Sequence, residues 1–136
     1  MTFVVDTNIL ISSLLADSVT RKLIFEVDEK LFSPDFLEIE LEKHKDIIRE
    51  KSGLSTIELD SLLTLLMENI IVVPKEIYDK NMSKADDILG GVDKKDVPFI
   101  AVALEKGAAI WSDDKDFEKQ DVVDVWKTSR MIAEFL

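Results

Sequence analysis

Short apolar runs rich in β-branched residues alternate along this chain with longer stretches whose apolar residues recur at helical spacing. Phe3-Val4-Val5 reads as a buried strand, Thr7 to Leu15 as a helix, and Ser18 to Val27 as a second helix. Leu31-Phe32 is a brief strand. Ser33-Pro34 then predicts a helix running to about Lys51, with Ser33 as N-cap and Pro34 in the first helical position. Ser55 and Glu58 have capping-box spacing ahead of a helix to Asn69. Ile70 to Val73 is a strand closed by Pro74, and Lys75 to Leu89 is a helical stretch broken by Gly90-Gly91. Asp96 to Lys106 is a helix ended by Gly107, Ala109-Ile110-Trp111 a strand, Val122 to Val125 an edge strand, and Thr128 to Leu136 a last helix. Strands alternating with helices imply right-handed crossovers. The expected fold is α/β: a three-layer α/β/α sandwich around a mostly parallel sheet of four or five strands.

Composition narrows this picture only a little. The chain has 136 residues, 46% hydrophobic and 33% charged, which suits one globular domain spanning residues 1–136. It has no cysteine, which removes disulfides, thiolate metal sites and cysteine nucleophiles. No apolar run approaches the roughly 20 residues of a membrane span, and Met1 to Asp6 lacks the basic start of a signal peptide. No membrane association and a cytoplasmic location are the expectations. The net charge of −11 argues against phosphate binding by the surface at large. The acids are either solvated surface or gathered where cations neutralise them, and only position can decide.

In parallel α/β sheets, ligands bind beyond the carboxyl ends of the strands. Asp6 follows the first strand directly, as an N-cap or as a buried acid that needs a partner or a cation. Thr7 and Asn8 offer alternative caps. Asp113, Asp114 and Asp116 follow the Ala109–Ser112 strand, either as a polar turn or as acids on the same edge as Asp6. Asp96 is the expected cap of its helix, because a start at Asp93 would put Pro98 at the fifth helical position, where it breaks the ladder. At roughly 100° per residue, Phe36, Leu37, Leu41, Ile47 and Ile48 share one side of the Pro34 helix. Glu40 and His44 fall inside that arc, and Glu38 and Glu42 fall outside it. Glu40 then either pairs with His44 one turn on or serves a site. His44, the sole histidine, reads as a boundary residue.

Taken together, these segments resemble the PIN domain, named for the N-terminal domain of PilT. Val4-Val5-Asp6-Thr7-Asn8-Ile9-Leu10 resembles the family's opening strand and Asp-Thr-Asn motif. Pro34 through Glu40-Leu41 resembles its second block, Asp93 with Asp96 through Leu104 its third, and Trp111 through Phe117 its fourth. The four blocks stand in order and cover nearly the whole chain.

The resemblance implies a PIN-like fold and a metal-dependent endoribonuclease that hydrolyses single-stranded RNA. Its acids carry over to Asp6, Glu40, Asp96 and Asp114, with Asp116 competing for the fourth role and Glu38 as fallback if the helix phase differs. Asp113 stands where many members have no acid. Mg²⁺ or Mn²⁺ is the implied cofactor, with Asp6, Asp96 and Asp114 as ligands and Thr7 and Asn8 in support; oxygen ligands suit such hard cations. Many relatives are toxins of toxin–antitoxin pairs, so an antitoxin and a homodimer are implied partners beside RNA. Lys43, Lys45, Arg49, Lys94, Lys95, Lys115 and Lys119 offer local positive potential. An inactive PIN-like scaffold is one competing reading. A receiver-like Mg²⁺-binding signalling module is another, though Ile70–Val73 ends in Pro74-Lys75 without the phosphoacceptor Asp it needs.

Overall fold

The computed structural model describes residues 1–15 and 19–136, with Gly90 described by its backbone. Five strands, β1 (Thr2–Val5), β2 (Lys30–Pro34), β3 (Ile70–Val73), β4 (Ala109–Trp111) and β5 (Val125–Trp126), form a sheet in the order β3-β2-β1-β4-β5. Each neighbouring pair is parallel. The fold is thus the expected three-layer sandwich, with five strands and an all-parallel sheet.

Alternation along the strands builds the layers. Phe3, Val5, Leu31, Ala109 and Trp111 point into one core, with α1 (Thr7–Leu15), α2 (Val19–Glu26), α3 (Phe36–Ser52), α4 (Thr56–Met67) and α8 (Thr128–Phe135). Val4, Phe32 and Ile110 point into the other, with α5 (Lys75–Tyr78), α6 (Met82–Ala85) and α7 (Val97–Lys106). Both sheet faces are therefore covered, as an all-parallel sheet requires. Register Val5↔Trp111 between β1 and β4 sets the chain after each strand side by side. The Asp6 N–H prolongs this ladder to the Trp111 carbonyl at 3.2 Å.

Several local expectations are met. Ser55 and Glu58 form both bonds of the capping box, and Gly107 closes α7 at φ 60, a left-handed conformation that favours glycine. Others are corrected. Ser33 and Pro34 do not start a helix: they end β2, where Pro34 pairs with Val73, and α3 begins at Phe36. The buried Ser33 hydroxyl donates to the Val5 carbonyl at 3.1 Å, so it ties two strands and caps nothing. Lys75 to Leu89 is helical only in short pieces, with 3₁₀ and π turns after α5 and α6. The last strand is Val125–Trp126, because the Gln120 side-chain oxygen takes the N–H groups of Val122 and Val123. The expected start of the second helix at Ser18 lies outside the described residues. Among the described residues, no helix is long and apolar enough to cross a membrane.

Candidate active site

Asp6 sits at the carboxyl end of the central strand and is 5% exposed. Its Oδ2 accepts a 2.7 Å hydrogen bond from the Ser112 hydroxyl. Burial raises its pKa from 3.8 to about 6; the Ser112 bond opposes this, the charges of Asp114 and Glu40 add to it, and the Asn8 backbone N–H opposes it. Asp6 stands directly ahead of α1, where the sequence also offered it as a cap. Capping does not account for its position among acids.

Thr7, also buried, donates through Oγ1 to Glu40 Oε1 at 2.6 Å. This bond links α1 to α3 and holds the Glu40 carboxylate on the half-buried side of its helix. Glu38 is exposed, so the helix phase read from the sequence stands. His44 is exposed, and Glu40 is tied to Thr7 instead of to it. Ile47, expected in the apolar arc, is 53% exposed. The arc is narrower than the sequence suggests, because α3 packs mainly through Leu37, Leu41 and Ile48.

Asp96 stands in the N-cap position of α7 but makes no capping bond. A cap side chain accepts from the second or third helical N–H, and here the second helical residue is Pro98, which has none. A 3₁₀ turn over Lys94–Asp96 also precedes the helix, so the Val97 N–H bonds to the Lys94 carbonyl. Asp93 caps that turn, accepting from the Lys95 N–H at 2.9 Å. Asp96 is left 8% exposed, with Oδ2 shut off from solvent and without a hydrogen-bond partner. Burial foremost, then the charges of Asp93, Asp6, Asp114 and Asp116, raise its pKa to about 7.

The three acids after β4 divide their roles. Asp113 accepts from the Thr128 N–H and hydroxyl at 2.8 and 2.7 Å, so it is a fastener for α8. Asp114 accepts from the Asp116 N–H at 2.9 Å, and its own N–H donates to the Ser112 hydroxyl at 3.0 Å. Asp116 pairs with Lys119 at 3.0 Å. One oxygen from each of Asp93, Asp96 and Asp116 lies within 4.8 Å of the other two. Asn8 is exposed and lines a 250 Å³ cleft with Ile9, Ser12, Asp113 and Asp114. A larger, mostly apolar cleft of 580 Å³ between α3 and α4 is lined by none of Asp6, Glu40, Asp96, Asp114 or Asp116.

Asp6, Glu40, Asp96, Asp114 and Asp116 thus share one edge of the sheet, with Thr7 in contact and Asn8 at the rim. One residue escaped the sequence reading as a site member: Ser112 bridges Asp6 and Asp114, and a polar residue ending a fully apolar strand beside β1 was its signal. Asp93 was weighed as a cap and as part of the third block, and nothing in its spacing showed that it lies near Asp116. Of the candidate cations, Lys45 is engaged by Asp60 at 2.8 Å and Arg49 by Asp46 and Thr56. Lys94, Lys95 and Lys115 are exposed beside the acids.

The donor set is all carboxylate and hydroxyl oxygen, and the orphaned Asp96 oxygen points to a missing positive partner. A hard divalent cation fits these residues.

Fold and site together define a parallel α/β protein with a carboxylate centre beyond its strand ends. The PIN domain family profile matches residues 4–135, and the chain belongs to that family. VapBC2 from Rickettsia felis, solved bound to a DNA fragment from their promoter, is similar at 13% identity and a TM-score of 0.65, covering 93% of this chain and 98% of that one. VapBC-1 from nontypeable Haemophilus influenzae is similar at 20% identity and a TM-score of 0.67, with the same coverage. At these identities the likeness is one of fold. No curated protein matches the chain.

Proposed function

We propose that this chain is a metal-dependent endoribonuclease that hydrolyses phosphodiester bonds of single-stranded RNA, with residues 1–136 acting as one nuclease domain. The observation that carries the reading is the buried, unpartnered Oδ2 of Asp96 within a cluster of acids. A stable protein does not leave a carboxylate so placed unless something neutralises it. Asp6, Asp96 and Asp114 would hold Mg²⁺ or Mn²⁺, with Asp116 in reserve for the fourth acid. Such an ion supplies charge neutralisation at the phosphate and a more acidic attacking water.

The chain's own residues do the rest. The Thr7 hydroxyl fixes Glu40 Oε1, which leaves the other Glu40 oxygen to accept a proton from the attacking water. The Ser112 hydroxyl fixes Asp6 and, through the Asp114 N–H, the turn that carries Asp114. Exposed Lys94, Lys95 and Lys115 draw the RNA backbone toward an otherwise acidic edge. Two of the solved neighbours are VapBC proteins; by that likeness this chain is the toxin of a toxin–antitoxin pair, working in the cytoplasm with an antitoxin partner and forming homodimers.

The test is cleavage of a single-stranded RNA by the purified chain. EDTA should abolish cleavage, Mn²⁺ should restore it, and Asp6→Asn should lack it while remaining folded. Millimolar Mn²⁺ should also raise the melting temperature of the wild type, because only the folded state gathers the ligands. A folded chain with neither a thermal shift nor cleavage would be the inactive scaffold.

A further inference from the structure

Asp35 stands in the N-cap position of α3 and gives that helix no side-chain bond. Its carboxylate binds the segment after β3 instead. Oδ1 accepts from the Tyr78 hydroxyl at 2.7 Å, and Oδ2 accepts from the Lys75 N–H at 3.1 Å. The Asp35 N–H donates to the Val73 carbonyl at 3.0 Å. The one residue between β2 and α3 is thus bonded to the end of β3 and to both ends of α5. Tyr78 is buried, and its ring belongs to the core of the other sheet face, so α5 is firmly seated where it meets Asp35. None of these groups belongs to the acidic cluster.

We propose that Asp35, held by Tyr78 and Lys75, is a positioning residue: it sets the place of α3 along its own axis and thereby brings Glu40 to Thr7. The inference rests on the nuclease reading for the reaction that Glu40 serves. α3 packs on its core through Leu37, Leu41 and Ile48. Apolar burial is non-directional, so it presses the helix against its neighbours and tolerates a small slide. The bond from Thr7 to Glu40 does not. It is 2.6 Å long, and such O–H···O bonds reach only to about 3.0 Å, so a slide of about 0.5 Å is enough to weaken it. Glu40 follows Asp35 by five residues, about 7.5 Å along the axis at about 1.5 Å per residue. A helix moves as one piece over that distance, so the bonds that stop Asp35 from sliding also stop Glu40. A residue needed only to start the helix would accept from the N–H groups of its first turn, and Asp35 does not.

Two measurements on the full chain test this. The first is cleavage of a single-stranded RNA with Mn²⁺, expressed per folded molecule, in Asp35→Ala, in Tyr78→Phe, and in each combined with Glu40→Gln. Asp35→Ala should lower kcat about 10-fold and Tyr78→Phe about threefold, as misplacement of a reacting group does, with KM within about twofold of wild type. In the Glu40→Gln background neither change should lower kcat further, because residues that act as a unit are not additive. Tyr78→Phe keeps the buried ring, so it carries the test if Asp35→Ala fails to fold. A full further loss in the Glu40→Gln background, or a normal kcat in the folded single variants, would overturn the proposal. The second measurement needs no cleavage: carboxyl ¹³C NMR of the metal-free chain. The Glu40 resonance should move in the single variants while that of the exposed Glu38 stays in place. A Glu40 resonance that does not move would also overturn the proposal. A Glu40 resonance that moves, in a protein whose wild type cleaves no RNA, would sustain the positioning role and overturn the nuclease reading.

Discussion

Asp6→Asn should make the metal-free protein more stable near neutral pH and leave its stability almost unchanged in acid. The Asp6 carboxyl titrates near 3.8 when exposed and near 6 in the fold, chiefly because it is buried. Below pH 3.8 the folded and unfolded chains both carry this proton, and burial of the charge exacts nothing. Between 3.8 and 6 the unfolded chain releases the proton while the folded chain keeps it, so stability falls as pH rises. Above 6 the full difference is present. That interval of about 2 pH units, at about 1.4 kcal/mol each, comes to about 3 kcal/mol. An Asn at position 6 keeps an acceptor for the Ser112 hydroxyl but carries no charge, so it escapes this loss. Urea unfolding in EDTA at pH 4 and pH 7.5 measures it: the variant should gain about 3 kcal/mol relative to wild type between the two conditions. Saturating Mn²⁺ should reverse the order, because only the wild type gains from binding the ion. A difference between the two proteins that does not change with pH, or a variant less stable than wild type in EDTA at pH 7.5, would refute the reasoning.

Three further predictions use neighbouring residues. Asp113→Ala should lower stability by about 1 kcal/mol through loss of the bonds to Thr128, while RNA cleavage per folded molecule stays within about twofold of wild type; urea melts paired with cleavage rates check this. Glu40→Gln should cut Mn²⁺-dependent cleavage by about 100-fold, in the range of a lost general base, while the exposed Glu38→Gln remains near wild type; the opposite pattern would mean that α3 is rotated. Asp96→Asn and Asp96→Ala should differ in metal-free stability by less than the roughly 1 kcal/mol of a helix cap, because Asp96 makes no capping bond. Chemical denaturation of both should show this, and both should lose Mn²⁺ binding by calorimetry.

The parts legible in the sequence were those governed by local pattern. Phe3-Val4-Val5 followed by Asp6, the Ser55–Glu58 box, Pro98 in the first turn of α7 and Gly107 at its end each carry their own signal, and the structure follows them. The phase of α3 was legible too, since a Glu inside an apolar arc is conspicuous. The errors came where a distant strand competes with a local rule. Ser33-Pro34 has the chemistry of a helix start, yet pairing with Val73 and the Val5 carbonyl claim both residues for β2. Asp96 looked like a cap by position, but its own backbone is already helical, as the last residue of the 3₁₀ turn over Lys94–Asp96, and the second helical residue, Pro98, has no N–H to offer, so its carboxylate makes no capping bond. The Asp93–Asp116 approach depends on how α7 and the turn after β4 meet, which no spacing records.

Asp6 and the Ser112 that holds it are 106 positions apart, and this separation orders events during synthesis. The chain emerges from the ribosome with β1, β2 and β3 available first, so one side of β1 stays an open strand edge until β4 arrives. Until then Asp6 lacks its hydroxyl partner, and the acids of the third and fourth blocks are absent. A nascent chain that has not yet delivered β4 therefore lacks half of the acidic cluster and, on the proposed reading, the means to cut the message from which it is being made.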